Sequence, residues 1–338
     1  MPIQYKTVTS WPLQEMTAVS ANSSQWMADR YARVEILLST YNGEDYLPSL
    51  LDSILDQTYP CWKMTIRDDG STDSSLDIIR RYQDQWPERF FIMALSGEHL
   101  GPTRSFSVLM EHSDADILAI CDQDDVWHKE KLSIQVMAME CALRRWGTAT
   151  PVLVHSDLRV CDTDMNEISR SMWKFQNIDP QRMKQIQCLL IHNFVSGCTM
   201  VVNRSLLKRV CPIPPEAVIY DWWVALIALI TGHIITIETP LVNYRQHRQN
   251  AVGARNWKSY FANRSFKRLL GWYQVLKNTA PQAVALKGRL QSFGVNHEVV
   301  SGFCGMQAKG FLARKRLYRR LGVFKYGRVR QIISYLFM

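Results

Sequence analysis

The chain has no C-x-x-C cysteine pair, no apolar run of membrane length and, toward its end, a single acidic side chain. Its eight cysteines stand at 61, 121, 141, 161, 188, 198, 211 and 304, with no C-x-x-C pair and no Cys/His spacing of a zinc site. A disulfide scaffold and a zinc finger are thereby excluded, and the thiols read as buried groups in a reducing compartment. The opening residues, Met1-Pro2-Ile3-Gln4-Tyr5-Lys6, show no basic stretch followed by an apolar one. No secretory signal is expected, and the cytoplasm is the expected location. The longest apolar stretch, residues 222–237, is interrupted by Thr231, Gly232 and His233 and falls short of the ~20 residues that cross a bilayer as a helix. No internal repeat is visible. From Arg255 onward there are 17 lysines and arginines against one acid, Glu298, whereas the part before it carries 23 basic and 30 acidic residues. A basic tail on an acidic body points to a polyanionic partner for the tail, nucleic acid or an anionic membrane.

What is present is an alternation of strands and helices. Residues 34–38 read as a strand, broken at Tyr41-Asn42-Gly43, after which Leu47, Leu50, Leu51, Ile54 and Leu55 mark one helical face. The unit repeats as a strand at 63–67, a turn at Asp68-Asp69-Gly70-Ser71-Thr72-Asp73 and a helix from about Ser74. A strand at 90–95, a helix at 103–112 and a strand at 117–121 follow. The second half offers strands at 152–157 and 199–202, a short helix at 205–210, an apolar helix after Tyr220-Asp221, a strand at 233–237 and a polar turn at 243–247. This order implies an α/β fold with a parallel sheet covered by helices, in which ligands bind outside the carboxyl ends of the strands. The expected division is a loosely ordered stretch at 1–32, a catalytic domain at 33–252 and a basic, helical region at 253–338.

The most informative segment is Ile117-Leu118-Ala119-Ile120-Cys121-Asp122-Gln123-Asp124-Asp125. If strand geometry carries on past Cys121, Asp122 and Asp124 project to the same side. Two carboxylates at close range repel, and a shared divalent cation such as Mg2+ or Mn2+ relieves the repulsion while leaving coordination positions for substrate phosphates. A nucleoside diphosphate compound is the expected partner. The plainer alternative is a solvated acidic loop.

Five segments in order, Ser39-Thr40-Tyr41-Asn42-Gly43, Asp68-Asp69-Gly70-Ser71-Thr72-Asp73, Asp122-Gln123-Asp124-Asp125-Val126-Trp127 with Lys131-Leu132, Tyr220-Asp221-Trp222-Trp223 and Tyr244-Arg245-Gln246-His247, resemble the family 2 glycosyltransferases. The similarity spans residues 34–252 and is nearest to bacterial rhamnosyltransferase-like members. It implies the GT-A fold, a Rossmann-like and mostly parallel sheet flanked by helices, here with a basic helical C-terminal extension. It also implies an inverting enzyme that moves one sugar from a nucleotide-diphosphate donor, with TDP-rhamnose a candidate, to a glycan or lipid-linked acceptor in bacterial surface polysaccharide synthesis. By resemblance, Thr40, Tyr41, Asn42, Asp68, Asp69 and Asp122 bind the nucleotide. Asp122, Asp124 and His247 hold Mg2+ or Mn2+, and Asp221 is the catalytic base. Trp222, Trp223 and Arg245 would contact acceptor or diphosphate.

Each assignment has a structural alternative. Asp68 and Asp69 suit the N3–H of a pyrimidine base, or an Asx-type turn that uses their carboxylates locally. Asp221 suits a general base, or a helix N-cap. Arg248 stands where the family pattern has glycine in Gln-His-Gly-Gln-Asn. A processive synthase is disfavoured by the missing Gln-x-x-Arg-Trp motif, and a nucleotidyltransferase by the missing glycine-rich first loop. The competing class is a noncatalytic, membrane-associated module that binds sugar nucleotides.

In the tail, Arg314, Lys315, Arg316, Arg319, Arg320, Lys325, Arg328 and Arg330 interleave with Leu317, Leu321, Phe324, Val329, Ile332, Ile333 and Leu336. The pattern reads as an interfacial helix on anionic headgroups, peripheral on the inner face of the plasma membrane, or as a helix docked on the catalytic domain. Nucleic acid is not expected, because no binding module accompanies the charge.

Overall fold

The structure, a computed structural model, describes residues 32–93, 98–247, 266–306, 309–327, 330–331 and 334–335, with side chains in 266–276 left aside. The expectations for 1–31, for Arg248 and the following residues to 265, and for Arg328, Val329, Ile332, Ile333 and Leu336 fall outside it. The elements run β1 (Val34–Thr40), α1 (Leu47–Leu55), β2 (Trp62–Asp68), α2 (Ser75–Gln85), β3 (Phe90–Ile92), α3 (Pro102–His112), β4 (Ile117–Cys121), β5 (Val126–Trp127), α4 (Lys131–Trp146), β6 (Val152–Cys161), β7 (Glu167–Ser169), α5 (Met172–Gln176), α6 (Pro180–Met183), α7 (Ile186–Leu189), β8 (Val201–Asn203), α8 (Arg204–Val210), α9 (Tyr220–Thr231), β9 (His233–Arg245), α10 (Phe266–Ser292), α11 (Glu298–Cys304) and α12 (Phe311–Arg320).

The strands form one sheet in the order β3-β2-β1-β4-β8-β6-β9-β5, with β7 on β6. β1, β2, β3 and β4 pair in parallel, as do β6 and β9. The short β8, β5 and β7 pairings are antiparallel. Strand β1 is buried along nearly its whole length because both faces of the sheet are covered. Leu37 enters one core, with α3, α8 and α9, while Val34, Ile36 and Leu38 enter the other, with α1, α2 and α4.

One sequence expectation is corrected, and one open alternative gains an observation. Residues 243–245 are not a turn: β9 runs on to Arg245, pairing Tyr244 and Arg245 with Val160 and Cys161. Leu321 of the tail is buried, and Leu317 and Phe324 pack against the core shared with α9 and α10. Tyr318 and the residues that follow α12 thus pack on protein, while Phe311 and Leu312 at its start stay exposed.

The chain leaves β1 for β2 on one side and reaches β4 on the other. The carboxyl ends of β2, β1 and β4 thus lie side by side at the point where strand order reverses, the location at which α/β sheets form their ligand crevice.

Candidate active site

The loops after β1, β2 and β4 are tied into one floor. Gln123 joins the first and third: its Oε1 accepts from Thr40 Oγ1 at 2.7 Å and from the Tyr41 amide at 2.8 Å, and its Nε2 donates to Tyr41 O at 3.1 Å. Asn42 joins the first and second. Its amide donates to Ser71 Oγ (2.9 Å) and its Oδ1 accepts from the Thr72 amide (2.8 Å). It adopts φ of 48°, a left-handed conformation that asparagine tolerates. Tyr41 is exposed, and its ring lies 4.3 Å from that of His99.

Asp68 and Asp69 turn inward. Asp68 accepts from the amides of Gly70 and Ser71 and from the Ser71 hydroxyl, which is the Asx-turn alternative. Asp69 accepts from Arg67, Ser105 and the amides of Leu100 and Gly101. Burial works to raise its pKa, but the Leu100 amide, Arg67, Gly101 and Ser105 together hold it below the usual carboxylate value. Asp69 anchors the segment ahead of α3, and its carboxylate is occupied by the protein.

The acid cluster lies in a turn between β4 and β5, so strand alternation does not govern its side chains. Asp124 Oδ2 is 2.8 Å from His247 Nε2, both nearly buried. Asp122 Oδ1 instead accepts from the Tyr220 hydroxyl at 3.3 Å. Burial, then the charges of Asp124 and Asp221, push the Asp122 carboxyl well above its ordinary range. Asp125 is wholly buried and pushed up by the same kind of causes, burial first and then Asp124 and Asp122. Its ligand atoms lie with those of Asp122 and Cys198 within 4.8 Å of one another. A buried ammonium beside this group is Lys131, over the Trp127 ring at 3.6 Å, which burial lowers to about 8 against the opposing charges of Cys121, Cys198 and Asp125.

This arrangement fits a hard divalent cation. Asp124 and His247 converge, and their carboxylate oxygen and imidazole nitrogen are donors such a cation takes, but among the described residues Asp122 groups with Asp125 and Cys198 rather than with Asp124 and His247, so the expected trio is not brought together. Arg245 does not reach toward a ligand. Its guanidinium donates to Asp124 O (3.1 Å), Thr163 O (2.5 Å) and Ser49 Oγ (3.2 Å), so it braces the backbone that carries Asp124.

Asp221 sits in the first turn of α9, whose N-cap is Ile219, so the capping alternative does not apply. Its carboxylate accepts from Asn193 Nδ2 at 2.9 Å and from the Gly197 amide at 3.0 Å. Burial pushes it up to about 7 against the hydrogen bonds of Trp222, Gly197 and Asn193. A carboxylate with that value exchanges protons near neutrality. Gly197 also makes room for Tyr220, because a Cβ there would lie 1.9 Å from the Tyr220 hydroxyl. Tyr220 stands between Asp122 and Asp221 and links the two halves of the site.

Trp222 and Trp223 form no acceptor wall. Both are buried, with Trp222 Nε1 donating to Leu189 O (2.6 Å) and Trp223 Nε1 to Val210 O (3.1 Å). Their helix is apolar on nearly every side, which marks a core element. Sequence reasoning gave no role to Gln123, Asn193, Gly197 or Tyr220. Gln123 and Tyr220 lay inside quoted motifs, but Asn193 and Gly197 carried no signal apart from a glycine before a strand.

Fold and site together define a GT-A protein. The model of glycosyl transferase family 2 matches residues 35–211, and the chain belongs to that family. The dTDP-rhamnosyl transferase RfbG of Shigella flexneri is 26% identical over 281 residues, covering 79% of this chain and 90% of RfbG. The putative teichuronic acid biosynthesis glycosyltransferase TuaG of Bacillus subtilis is 35% identical over 117 residues, 34% of this chain. The chain spans 46% of TuaG and 66% of an uncharacterized glycosyltransferase of Nostoc sp.. Among solved structures, S. aureus TarS 1-349 in complex with UDP-GlcNAc superposes with a TM-score of 0.54 at 18% identity, over 90% of this chain and 86% of that one. The mannosyltransferase PcManGT from Pyrobaculum calidifontis, in complex with GDP-Man and Mn2+, gives 0.53 at 17%, over 96% and 93%. At these identities the two structures establish the fold.

Proposed function

We propose that the protein is an inverting, metal-dependent glycosyltransferase. It moves one sugar from a nucleotide-diphosphate donor to a glycan or lipid-linked acceptor in bacterial surface polysaccharide synthesis, at the inner face of the membrane. The observation that carries this reading is Asp221, a buried carboxylate held by Asn193 and the Gly197 amide and pushed up by burial to about 7, next in sequence to Tyr220, whose hydroxyl reaches the acid cluster at Asp122. An acceptor hydroxyl needs its proton removed as its oxygen attacks the anomeric carbon, and a carboxylate so adjusted accepts it. The new C–O bond forms as the bond to the diphosphate breaks, and with a single base on the attacking side the anomeric configuration inverts. Asp124 and His247, with Asp122 alongside, would hold Mg2+ or Mn2+, which supplies charge neutralisation for the departing diphosphate. Thr40, Tyr41 and Asn42 offer the nucleotide floor, with the Asp68–Asp69 turn shaping its edge through the backbone. The RfbG alignment makes dTDP-rhamnose the first donor to try.

The test is turnover of a panel of nucleotide sugars with and without Mn2+. Asp124→Asn is expected to lose metal-dependent donor binding. Asp221→Asn should keep donor affinity while turnover falls about 10²–10⁴-fold, the usual worth of a general base. Wild-type turnover in Asp221→Asn would remove that residue from the chemistry.

A further inference from the structure

Helix α12, FLARKRLYRR, contains no acid. Among the described residues it is seated through Tyr318, which is 1% exposed with its hydroxyl 3.0 Å from Ser334 Oγ, and through Leu321, just after the helix and buried in the main core. That seating fixes which side chains face outward. At about 100° per residue, Leu312, Ala313, Arg316 and Arg320 occupy the arc opposite Tyr318, Arg319 lies at its flank and Phe311 falls on the Tyr318 side, and all six are exposed. The first turn presents Phe311 at 55% and Leu312 at 71% exposure, the latter the highest value among the exposed large hydrophobic residues. Lys315 lies 4.3 Å from the Phe311 ring centroid, and both Lys315 and Arg319 lie 4.7 Å from that of Tyr335. The helix thus offers a cationic face with two exposed apolar residues in its first turn, seated through the buried Tyr318.

We propose that α12 seats the protein on an anionic lipid surface, with Arg316, Arg319 and Arg320 against the headgroup phosphates and Phe311 and Leu312 entering the acyl boundary. Charge complementarity selects the occupant: three arginines and no acid on one face suit an anionic bilayer, and the adjoining apolar pair has a place in a bilayer and none on an RNA backbone. The inference deepens the reading of a lipid-linked acceptor and rests on it for its purpose. It differs from the sequence expectation in the residues that meet lipid, since Leu317, Leu321 and Phe324 are used inside the protein.

The experiment is co-sedimentation of the full chain with phosphatidylcholine vesicles and with vesicles containing 30% phosphatidylglycerol (about 30% by design), alongside binding to a single-stranded RNA. Wild type is expected to partition onto the anionic vesicles only. Arg316→Ala/Arg319→Ala/Arg320→Ala should weaken partitioning about a hundredfold, and Phe311→Ser/Leu312→Ser about tenfold or more. A control lacking the exposed cations Arg80, Arg81 and Lys208 should bind as wild type. Retained binding by both α12 variants, binding to neutral vesicles equal to that on anionic ones, or RNA binding without vesicle binding would each overturn the proposal. Donor turnover on a soluble acceptor, measured in the same variants, should be unchanged. Its absence in the wild type would instead count against the glycosyl-transfer reading and leave the lipid result standing.

Discussion

Gly197 serves two neighbours at once: its amide holds the Asp221 carboxylate, and its missing side chain admits the Tyr220 hydroxyl to Asp122. No other residue can do both without a shift of backbone. In Gly197→Ala the new methyl would stand 1.9 Å from the Tyr220 hydroxyl and 2.6 Å from its ring carbon, and Tyr220 is buried against Phe106, ring centroids 4.3 Å apart. Overpacking of this kind costs about 1–3 kcal/mol. A urea melt should show that loss, and turnover should fall by more than stability alone explains, because Asp221 is displaced. Adding Tyr220→Phe removes the shorter contact and should restore part of the stability. Full wild-type activity in Gly197→Ala would show that the Tyr220 link is dispensable.

Arg245 shows how an element's end can be a brace rather than a contact for substrate. It closes β9, and hydrogen bonds from its guanidinium reach the acid turn, the loop after β6 and the start of α1. Arg245→Leu keeps the bulk and removes the donors, leaving a buried carbonyl at Asp124 without its partner. Hydrogen bonds from a charged group contribute about 1.5–3 kcal/mol each, so a loss of several degrees in Tm and weaker Mn2+-dependent donor binding are expected. An unchanged metal dependence would mean that the turn holds its shape alone. This role was not legible in the sequence, where Asn243-Tyr244-Arg245-Gln246-His247 reads as polar and hence as a turn. β9 continues through it because β6 supplies backbone partners as far as Cys161, past two irregularities in register. The strand–turn–helix units of the first half were legible for the opposite reason: Leu47, Leu50, Leu51 and Ile54 are all buried, so hydrophobic period and tertiary burial agree. The acids of the site were visible as a motif. The local use of Asp68 was legible as an Asx-type turn, but the inward turn of Asp69 was not, since it depends on Arg67, Ser105 and the amides at Leu100 and Gly101. Trp222 and Trp223 misled because a family motif and a core helix present the same apolar run.

Across the whole molecule, buried ionisable groups pull the pH dependence of stability in opposite directions. Burial lowers His155 to about 3 and depresses His192 and His297, so these favour the fold at higher pH and disfavour it below their unfolded value of about 6.5. Asp221 does the reverse. Its folded pKa of about 7 exceeds the unfolded value of about 3.9, so the native state holds a proton that the unfolded chain has released. Its contribution is fully present below about pH 4 and is lost as pH rises through about 7. The histidines cancel in the difference between wild type and Asp221→Asn, which leaves the Asp221 carboxyl and its charge coupling to Asp122. Relative to that variant, wild type should gain about 2 kcal/mol between pH 7 and pH 5 in urea melts without added metal. A flat difference would mean that Asp221 titrates near its ordinary value, and it would then be a poor base at neutral pH. Saturating Mn2+ should raise the stability of wild type at pH 7 by about 2.7 kcal/mol at a hundredfold excess over its dissociation constant. The same addition should do nothing for Asp124→Asn, because the crowded acids that burden the free protein are the groups expected to hold the ion.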